Sequence, residues 1–508
     1  MGAPRFPLRF FASVLAALLL LTVAWTFATP IYSVPDEASH TVRATAAAHG
    51  QLVGPTFDAP RYLYIPGAGS CFAGQPSKTP ACVGHGDPGA TDLVETPTWA
   101  GTNSPVYYVV TGWPSLLFTA EAAIFAMRLV SGAVTALSFA ALATLIRLWP
   151  GARWSLLLPV ATLTPMTFFL AGSVNPNAME MASAGALFAS LITLGRWRPQ
   201  GWLLWFASLT AVVSVALVTG GRSIGMLWLL LIAVAVALLL RPDDWRAAFG
   251  RRSTRVVVAL SALITAAQFF WFTRPENEVH SGATPVPGSL YTVAQTTLEG
   301  TVANVQGMIG LFGTVDVPAP DLVYALWFAL IAALILLPLV LGRGRERWIS
   351  AAFAAALVLV PVVIQVSLFR QVGYVWQGRY MLAVLLLLGI VAGMALDRAG
   401  VGSGSHRTVA SLRAIAVVIA AGQFGAFAFT LRRYAVGGTS WVSYLLSPTW
   451  QPPGTVLLLT LAAVVSLAFF AVVAWRGLPG LFQTVSRQGA MTPSGDGIAV
   501  ESGSQRNA

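Results

Sequence analysis

The sequence LRFFASVLAALLLLTVAWTFA, residues 8–28, is followed after a short break by VPDEASH, residues 34–40. The first segment is long and apolar enough to cross a bilayer as a helix, which takes about 20 residues. The second places the carboxylates of Asp36 and Glu37 where that helix should emerge into water. Together the two segments predict a membrane-spanning helix with an acidic motif at its far end.

The acidic motif has the features of a helix N-terminus. Pro35 suits the first helical position, and acids in a first turn are favoured by the helix dipole. Helical spacing would place Asp36, His40 and Arg43 on one face. Capping of a surface helix is one interpretation of the two acids and a functional site is the other. The rest of the sequence favours the functional interpretation.

The composition is that of an integral membrane protein. Of 508 residues, 56% are hydrophobic and 10% are charged, whereas soluble proteins have about 25% charged residues. The mean hydropathy is +0.72. The net charge of +11 does not indicate nucleic-acid binding, because no basic run is interleaved with aromatic residues in a soluble segment.

Apolar runs recur along the chain and predict about twelve membrane-spanning helices. They fall near residues 8–28, 121–147, 154–173, 178–195, 202–219, 224–240, 255–272, 323–341, 349–369, 380–396, 408–430 and 455–475. Arg5 and Arg9 lie at the start of the first run and predict that the N-terminus stays in the cytoplasm. With this topology most of the 30 basic residues lie on the inner side, as the positive-inside rule requires.

The prediction is an all-α polytopic membrane protein with both termini in the cytoplasm. Residues 1–476 would form the membrane domain. Residues 477–508 are rich in Gly, Ser and Gln and would form a disordered cytoplasmic tail.

Two outer loops, residues 30–120 and 273–322, are much longer than the other connections. The prolines and aromatic residues of 105–118, and the helical period of apolar residues over 290–309, predict helices lying along the membrane surface. A mobile loop is the alternative for the second segment, and its sustained period argues against that. The only cysteines, Cys71 and Cys82, lie in the first outer loop and predict a structural disulfide bond.

Isolated polar residues mark the outer ends of later helices. Asn175 lies between the third and fourth spans, Arg222 follows the fifth, and Arg379 and Tyr380 open the tenth. Arginine on the outer side runs against the orientation rule and needs a reason. Interfacial snorkelling or an ion pair with the acidic motif is one explanation, and bidentate capture of a phosphate is the other.

The order of these motifs resembles the GT-C superfamily of polyprenyl-phosphate-sugar-dependent glycosyltransferases. Within it, the chain looks like a bacterial family of polytopic membrane proteins with a Pro-Asp-Glu motif in the first outer loop. The matching pieces are, in chain order, Pro35 to His40 with Arg43 and Gly50, Asn103 to Tyr108, Asn175 to Ala178, and Gln377 to Tyr380. The chain departs from the family pattern at Asn177, where an acid is usual, so the resemblance implies no cation-binding role for that turn.

The resemblance implies a GT-C-like fold and a reaction in which an acceptor hydroxyl attacks the anomeric carbon of a lipid-phosphate sugar. Asp36 would be the catalytic base, and Glu37 would orient the acceptor or bind a cation. The residues implied to bind the donor phosphate are Arg379, Arg222, His40 and Tyr380. Those implied to contact the acceptor or support the structure are Arg43, Asn103, Tyr107 and Asn175.

The function implied is a glycosyltransferase of the bacterial plasma membrane. It would transfer a sugar from a polyprenyl-phosphate donor to a cell-envelope glycan or glycolipid on the outer face of the membrane. No ligand set requires a cofactor, and a divalent cation, Mg²⁺ or Mn²⁺, is left open. Two alternatives also stay open: a lipid-diphosphate-linked polysaccharide ligase or polymerase, and a lipid-linked sugar flippase or transporter. A transporter would carry ionisable residues in mid-helix, and the sequence has few of them.

Overall fold

The structure, a computed structural model, describes residues 6–274, 286–402 and 406–488. Nineteen α-helices account for most of these residues. In chain order they are α1 Leu8–Ala28, α2 Glu37–Ala48, α3 Pro105–Gly112, α4 Ala120–Arg147, α5 Trp154–Thr162, α6 Pro165–Ala171, α7 Pro176–Ile192, α8 Gly201–Thr219, α9 Gly225–Leu239, α10 Pro242–Phe249, α11 Arg252–Phe272, α12 Leu290–Glu299, α13 Thr301–Gly310, α14 Asp321–Leu341, α15 Arg345–Val372, α16 Leu382–Ala399, α17 His406–Val436, α18 Trp441–Leu446 and α19 Val456–Gln488. The predicted all-α fold is confirmed.

The number of membrane spans agrees with the prediction of about twelve. Within the described ranges ten helices are long and apolar enough to cross a membrane, and two bent pairs raise the number to twelve if each is one span. The pair α5 and α6 is bent by 73°, and the pair α9 and α10 by 112°. The run 154–173 is therefore not one continuous helix. Pro165 explains the break, because proline disfavours a helical conformation in the residue before it and has no N–H to continue a helix.

Helices α7 and α16 form the centre of the bundle. In the spans that contain α7 and α16, 94% and 89% of the residues in the most apolar stretch are buried. The value for α11, at the periphery, is 11%. α7 packs against α4, α8 and α16. Its small residues permit this close approach, as at Gly185, where an added Cβ would lie 2.6 Å from a methyl carbon of Leu386 and 2.8 Å from one of Leu142.

The long segment between α1 and α4 forms a compact layer over one end of the bundle. Strand β1, Thr56–Pro60, pairs antiparallel with β2, Leu93–Pro97. A disulfide bond joins Cys71 to Cys82 between the two strands, as predicted. A second short ladder, β3 Leu311–Phe312 with β4 Val317–Pro318, follows α13.

Arg433, near the end of α17, fastens the disulfide-bonded segment to the bundle. Its guanidinium donates hydrogen bonds to the carbonyls of Phe72 at 3.3 Å, Gln75 at 2.8 Å and Lys78 at 2.6 Å. By satisfying three backbone acceptors of this segment, the buried Arg433 holds it against the bundle.

The two predicted surface segments are helical. α3 continues into a 3₁₀ turn, Trp113–Leu116, after which Leu117 is 69% exposed. The second segment forms two helices, α12 and α13, because Gly300 ends the first one. Tyr291 of α12 is 78% exposed. Both segments present large apolar side chains outward, which is typical of helices in contact with lipid.

The first part of the predicted tail is helical. α19 continues to Gln488, so residues 477–488 are helical rather than disordered. Residues 489–508 of that predicted tail lie outside the described residues.

Candidate active site

Asp36 and Arg379 meet at the end of the bundle that the segment between α1 and α4 covers. Arg379 Nη2 donates a hydrogen bond of 2.7 Å to Asp36 Oδ2, although the residues are 343 positions apart. The Asp36 side chain is 49% exposed, whereas that of Arg379 is 3% exposed. The pair therefore joins an accessible carboxylate to a buried guanidinium.

The backbone turns Asp36 out of the helix that follows it. Asp36 is the N-cap of α2, with φ 65° and ψ 0°, and its side chain makes no capping hydrogen bond. Aspartate is among the few residues that adopt this left-handed conformation without a large penalty. The prediction that Pro35 begins the helix is wrong by two positions: Pro35 precedes it, and its carbonyl accepts a hydrogen bond of 3.1 Å from Asn175 Nδ2.

A close backbone contact fixes the position of Arg379. The residue lies in a 3₁₀ turn, Gly378–Met381, just before α16. Gly378 packs directly on the backbone of Asn304 in α13, and an added Cβ would clash with the Asn304 carbonyl. Only glycine allows this approach, so α13 serves as a rigid backing for the arginine.

Tyr380 lies between two arginines. The Arg222 guanidinium carbon is 4.8 Å and that of Arg379 is 5.1 Å from the centre of the Tyr380 ring. Such cation–π contacts hold the cations in place and are attractive by about 0.5–2 kcal/mol each. Three of the four residues predicted to bind the donor phosphate are thus brought together.

Arg222 does not offer a free charge to a ligand. Its Nε and Nη2 donate to the two carboxylate oxygens of Glu180 at 3.0 and 2.6 Å. Glu180 is 2% exposed. A bidentate pair of this kind balances the Arg222 charge, so Arg222 supports the site chiefly by holding Tyr380.

The contacts of Glu37 differ from the role predicted for it. Both of its oxygens accept bidentate hydrogen bonds from Arg128, at 2.7 and 2.6 Å, and both side chains are fully buried. The same oxygens also accept the backbone N–H groups of Tyr32 and Val174, each at 3.1 Å. The expectation that Glu37 orients an acceptor or binds a cation is therefore wrong, because no oxygen faces the site.

Arg128 extends this buried pair to the end of α1. Its terminal nitrogens donate to the carbonyls of Thr26, Thr29 and Pro30 at 2.7 to 3.0 Å. The sequence carried a signal for this contact, since an arginine inside an apolar helix requires a partner. The pair locks α1, α2 and α4 together directly behind Asp36.

His40 belongs to a buried neutral network. Its Nδ1 lies 2.9 Å from the Tyr108 hydroxyl, which also accepts a hydrogen bond of 2.8 Å from Asn103 Nδ2. Burial lowers the pKa of His40 to about 4; Asp36 opposes this shift and the charge of Arg222 adds to it. A histidine that is neutral at neutral pH cannot supply the positive charge expected of it for phosphate binding.

The remaining predicted residues have structural contacts. Arg43 is fully buried and donates to the carbonyls of Gln51, Leu52 and Asn103 at 3.1, 2.7 and 3.1 Å. Burial lowers the pKa of Arg43 to about 10, which leaves it charged.

Tyr107 and Asn175 also face protein groups rather than the site. The Tyr107 hydroxyl lies 2.9 Å from that of Ser131. Asn175 caps α7 by accepting the backbone N–H of Asn177 at 3.0 Å. Of the two roles left open for these residues, the contacts match the structural one.

Three buried polar atoms near the pair have no hydrogen-bond partner among the described residues: Arg379 Nε, Gln377 Oε1 and Asn177 Oδ1. Buried polar atoms are nearly always paired, so these atoms are available to a polar ligand or to water at the site. Gln377 was not among the predicted site residues, although it belongs to the same motif as Arg379.

Most of the acidic side chains around the site are committed to arginines. Glu37 and Glu180 are each committed to an arginine, which leaves Asp36 as the accessible carboxylate. Within the described ranges no three His, Cys, Asp or Glu side chains are grouped as metal ligands.

Comparisons with known proteins identify the family. No curated protein sequence matches the chain. Similar solved structures include ArnT from Cupriavidus metallidurans in the apo state, with a TM-score of 0.47 and 15% identity over 93% of this chain and 76% of that one. They also include ArnT from the same organism bound to undecaprenyl phosphate, with a TM-score of 0.46 and 15% identity over 95% of this chain and 78% of that one. The family model described as predicted membrane protein (DUF2142) matches residues 19–388. The chain therefore belongs to the DUF2142 family of membrane proteins.

Proposed function

We propose that this chain is a GT-C-type glycosyltransferase of the plasma membrane. It transfers a sugar from a polyprenyl-phosphate donor to a cell-envelope glycan or glycolipid at the outer face. The observation that carries the proposal is the contact between Asp36 and Arg379, an accessible carboxylate beside a buried arginine that keeps an unpartnered N–H. A base and a phosphate ligand are the two groups that such a transfer requires.

Asp36 is suited to the role of base. Its Oδ2 is bound to Arg379, while Oδ1 has no partner among the described residues. In the transfer, the acceptor oxygen bonds to the anomeric carbon of the sugar as the bond from that carbon to the phosphate oxygen breaks. The acceptor proton passes to Asp36 Oδ1.

Arg379 is suited to the leaving group. The departing phosphate gains one negative charge, and a guanidinium held in place before the reaction stabilises that charge most effectively. While Nη2 stays bound to Asp36, the Nε–H group is free to donate to the phosphate. One arginine would therefore set the distance between the base and the leaving group. The Tyr380 ring and the backbone of α13 prevent the arginine from moving away.

The surroundings suit a substrate that arrives within the membrane. α3 packs against α2, which begins beside Asp36, and α13 packs against the turn that carries Arg379. Both neighbouring segments present exposed apolar side chains, among them Leu117, Tyr291 and Leu298. A lipid tail can lie on these surfaces while its phosphate reaches the arginine.

The outer placement rests on the distribution of charge. The acidic motif, the disulfide bond and Arg379 lie at one end of the bundle, and the clusters of basic residues that end α4 and α16 or begin α11 and α15 lie at the other. The positive-inside rule assigns the basic end to the cytoplasm.

The test is sugar transfer in membranes that contain wild type, Asp36→Asn or Arg379→Ala at matched abundance, with a panel of radiolabelled polyprenyl-phosphate sugars and one polyprenyl-diphosphate-linked sugar. Asp58→Asn is the matched control, because Asp58 is an exposed acid in the same outer loop. We expect one monophosphate donor to be used by wild type and the control, with at least a 100-fold loss in Asp36→Asn. Transfer from the diphosphate donor alone would indicate the ligase instead, and equal transfer by Asp36→Asn would overturn the assignment of the base.

A further inference from the structure

A cavity of about 130 Å³ lies at the end of the bundle opposite Asp36. It is formed where the ends of α7, α9 and α16 meet the beginnings of α10 and α15. The residues that line it are Arg196, Leu239, Arg241, Asp244, Arg345 and Arg398. Four of these six residues are arginines, and they come from four separate segments. The positive-inside rule favours basic residues at this end of the bundle but does not require them to line one cavity.

The carboxylates near the cavity do not balance its arginines. Glu346, buried at 3% exposure, lies 3.5 Å from Arg196 and 3.1 Å from Arg398. Asp244 accepts the backbone N–H of Arg241 at 2.9 Å and so serves as a helix cap. The guanidinium groups of Arg241 and Arg345 have no carboxylate within ion-pair distance among the described residues.

Two helices begin at residues that line the cavity. Arg241 is the N-cap of α10, and Arg345 is the first residue of α15, a helix of 28 residues. Unpaired N–H groups and the helix dipole give each N-terminus a partial positive charge. The cavity thus combines two guanidinium groups that lack a carboxylate partner among the described residues with the positive ends of two helices. It is larger than the space of a single water.

We propose that this cavity is a phosphate-binding site. Guanidinium groups match the geometry of a phosphate, and Arg241 and Arg345 face it from different helices, so that a bound phosphate would bridge α10 and α15. The phosphate can belong to an anionic lipid headgroup of the inner leaflet or to a free anion. The proposal is independent of the transfer reaction at the other end of the bundle.

The decisive variant is Arg241→Gln/Arg345→Gln, which removes the two unpaired cations. Both residues are exposed, so the fold should tolerate the change. Its matched control is Arg252→Gln/Arg255→Gln, which removes two exposed arginines from the start of α11, on the same side of the bundle but outside the cavity. If the double variant does not accumulate, Arg345→Gln alone serves, since its guanidinium has a single weak contact, 3.2 Å to the Leu238 carbonyl.

Two measurements on full-length protein in neutral detergent separate the sources. Native mass spectrometry counts phosphatidylglycerol molecules retained by each protein, with phosphatidylcholine for comparison. Thermal unfolding is followed with inorganic phosphate against chloride at equal ionic strength.

If the source is a lipid, wild type and control retain phosphatidylglycerol in preference to phosphatidylcholine. In the cavity variant this preference is at least 10-fold smaller. If the source is a free anion, inorganic phosphate raises the unfolding temperature of wild type and control but not of the cavity variant, without lipid preference. The proposal is overturned if the cavity variant and the control behave alike in both measurements, because the arginines would then act only as diffuse basic charge.

Discussion

Replacing Glu37 by glutamine should unfold the protein far more easily than replacing its neighbour Asp36 by asparagine. Removal of one partner from a buried ion pair typically costs about 3–5 kcal/mol, because the other charge remains buried without compensation. Arg128 is enclosed completely and cannot reach water when Glu37 loses its charge. One of the backbone N–H groups of Tyr32 and Val174 would in addition face an amide nitrogen, at about 1 kcal/mol or more.

The expected loss for Glu37→Gln is therefore about 4 kcal/mol. Asp36 is half exposed, and the asparagine of Asp36→Asn keeps an oxygen that can accept from Arg379 Nη2, so this change should cost only about 1 kcal/mol. Reversible unfolding by sodium dodecyl sulfate in mixed micelles, followed by tryptophan fluorescence, measures both values on the same scale. The double variant Glu37→Gln/Arg128→Gln should lose less than the sum of its two single variants, because no uncompensated charge remains.

Glu37→Gln that is as stable as wild type and yet inactive would refute this reasoning, since it would make Glu37 a group of the reaction. Glu37→Gln and Asp36→Asn that are equally destabilised would refute it as well. The expected pattern is opposite for the two neighbours: Glu37→Gln loses stability, and Asp36→Asn loses transfer with little change in stability.

Three further predictions concern the neighbourhood of the site. Gly378→Ala should reduce transfer at least 10-fold, because the added Cβ would push the turn that carries Arg379 away from α13. Gly438→Ala is the control and should match wild type, because a Cβ added there meets no atom within 4 Å. The pKa of His40 is lowered to about 4, so between pH 6.5 and 4 the unfolded chain binds more protons than the folded one. The thermal unfolding midpoint should therefore fall as the pH is lowered through that window, and it should fall less steeply in His40→Gln. Reduction of the Cys71–Cys82 bond, which closes a loop of sequence separation 11, should cost about 2–3 kcal/mol and lower the thermal midpoint, whereas Cys71→Ser/Cys82→Ser should be insensitive to dithiothreitol.

Much of the fold was predictable because the membrane restricts the choices. Apolar length predicts the spans, and the two cysteines can pair only with each other. The orientation that the arginines indicate stays a prediction. The break between α5 and α6 was less visible, because the apolar run continues through Pro165. Gly300 likewise divided a helical period that looked continuous.

The roles of the two adjacent acids could not be read from the sequence. Asp36 and Glu37 have the same chemistry, and a helix beginning at Pro35 would place both in its first turn. The left-handed backbone at Asp36 delays the helix, so that Glu37 turns inward to Arg128 and Asp36 turns outward to Arg379. A single dihedral angle, set by tertiary contacts, decides which acid is accessible.

The arginines were ambiguous for a related reason. An arginine at the end of a span can bind a ligand or pair with an acid, and Arg222 pairs with Glu180. That Arg379 lies beside Asp36 depends on how the turn before α16 packs against α13. Sequence motifs placed both residues at the same end of the bundle, and only the packing of helices brings them to 2.7 Å.

The most direct test of the account is a double-mutant cycle of Asp36→Asn and Arg379→Gln, measured as kcat/KM for the donor in purified protein. Because the two side chains are proposed to act as one unit, each single variant should lose at least 100-fold. The double variant should then lose little more than the worse single one. Losses that multiply in the double variant, or wild-type kcat/KM in either single variant, would contradict the claim that Asp36 and Arg379 form one catalytic site.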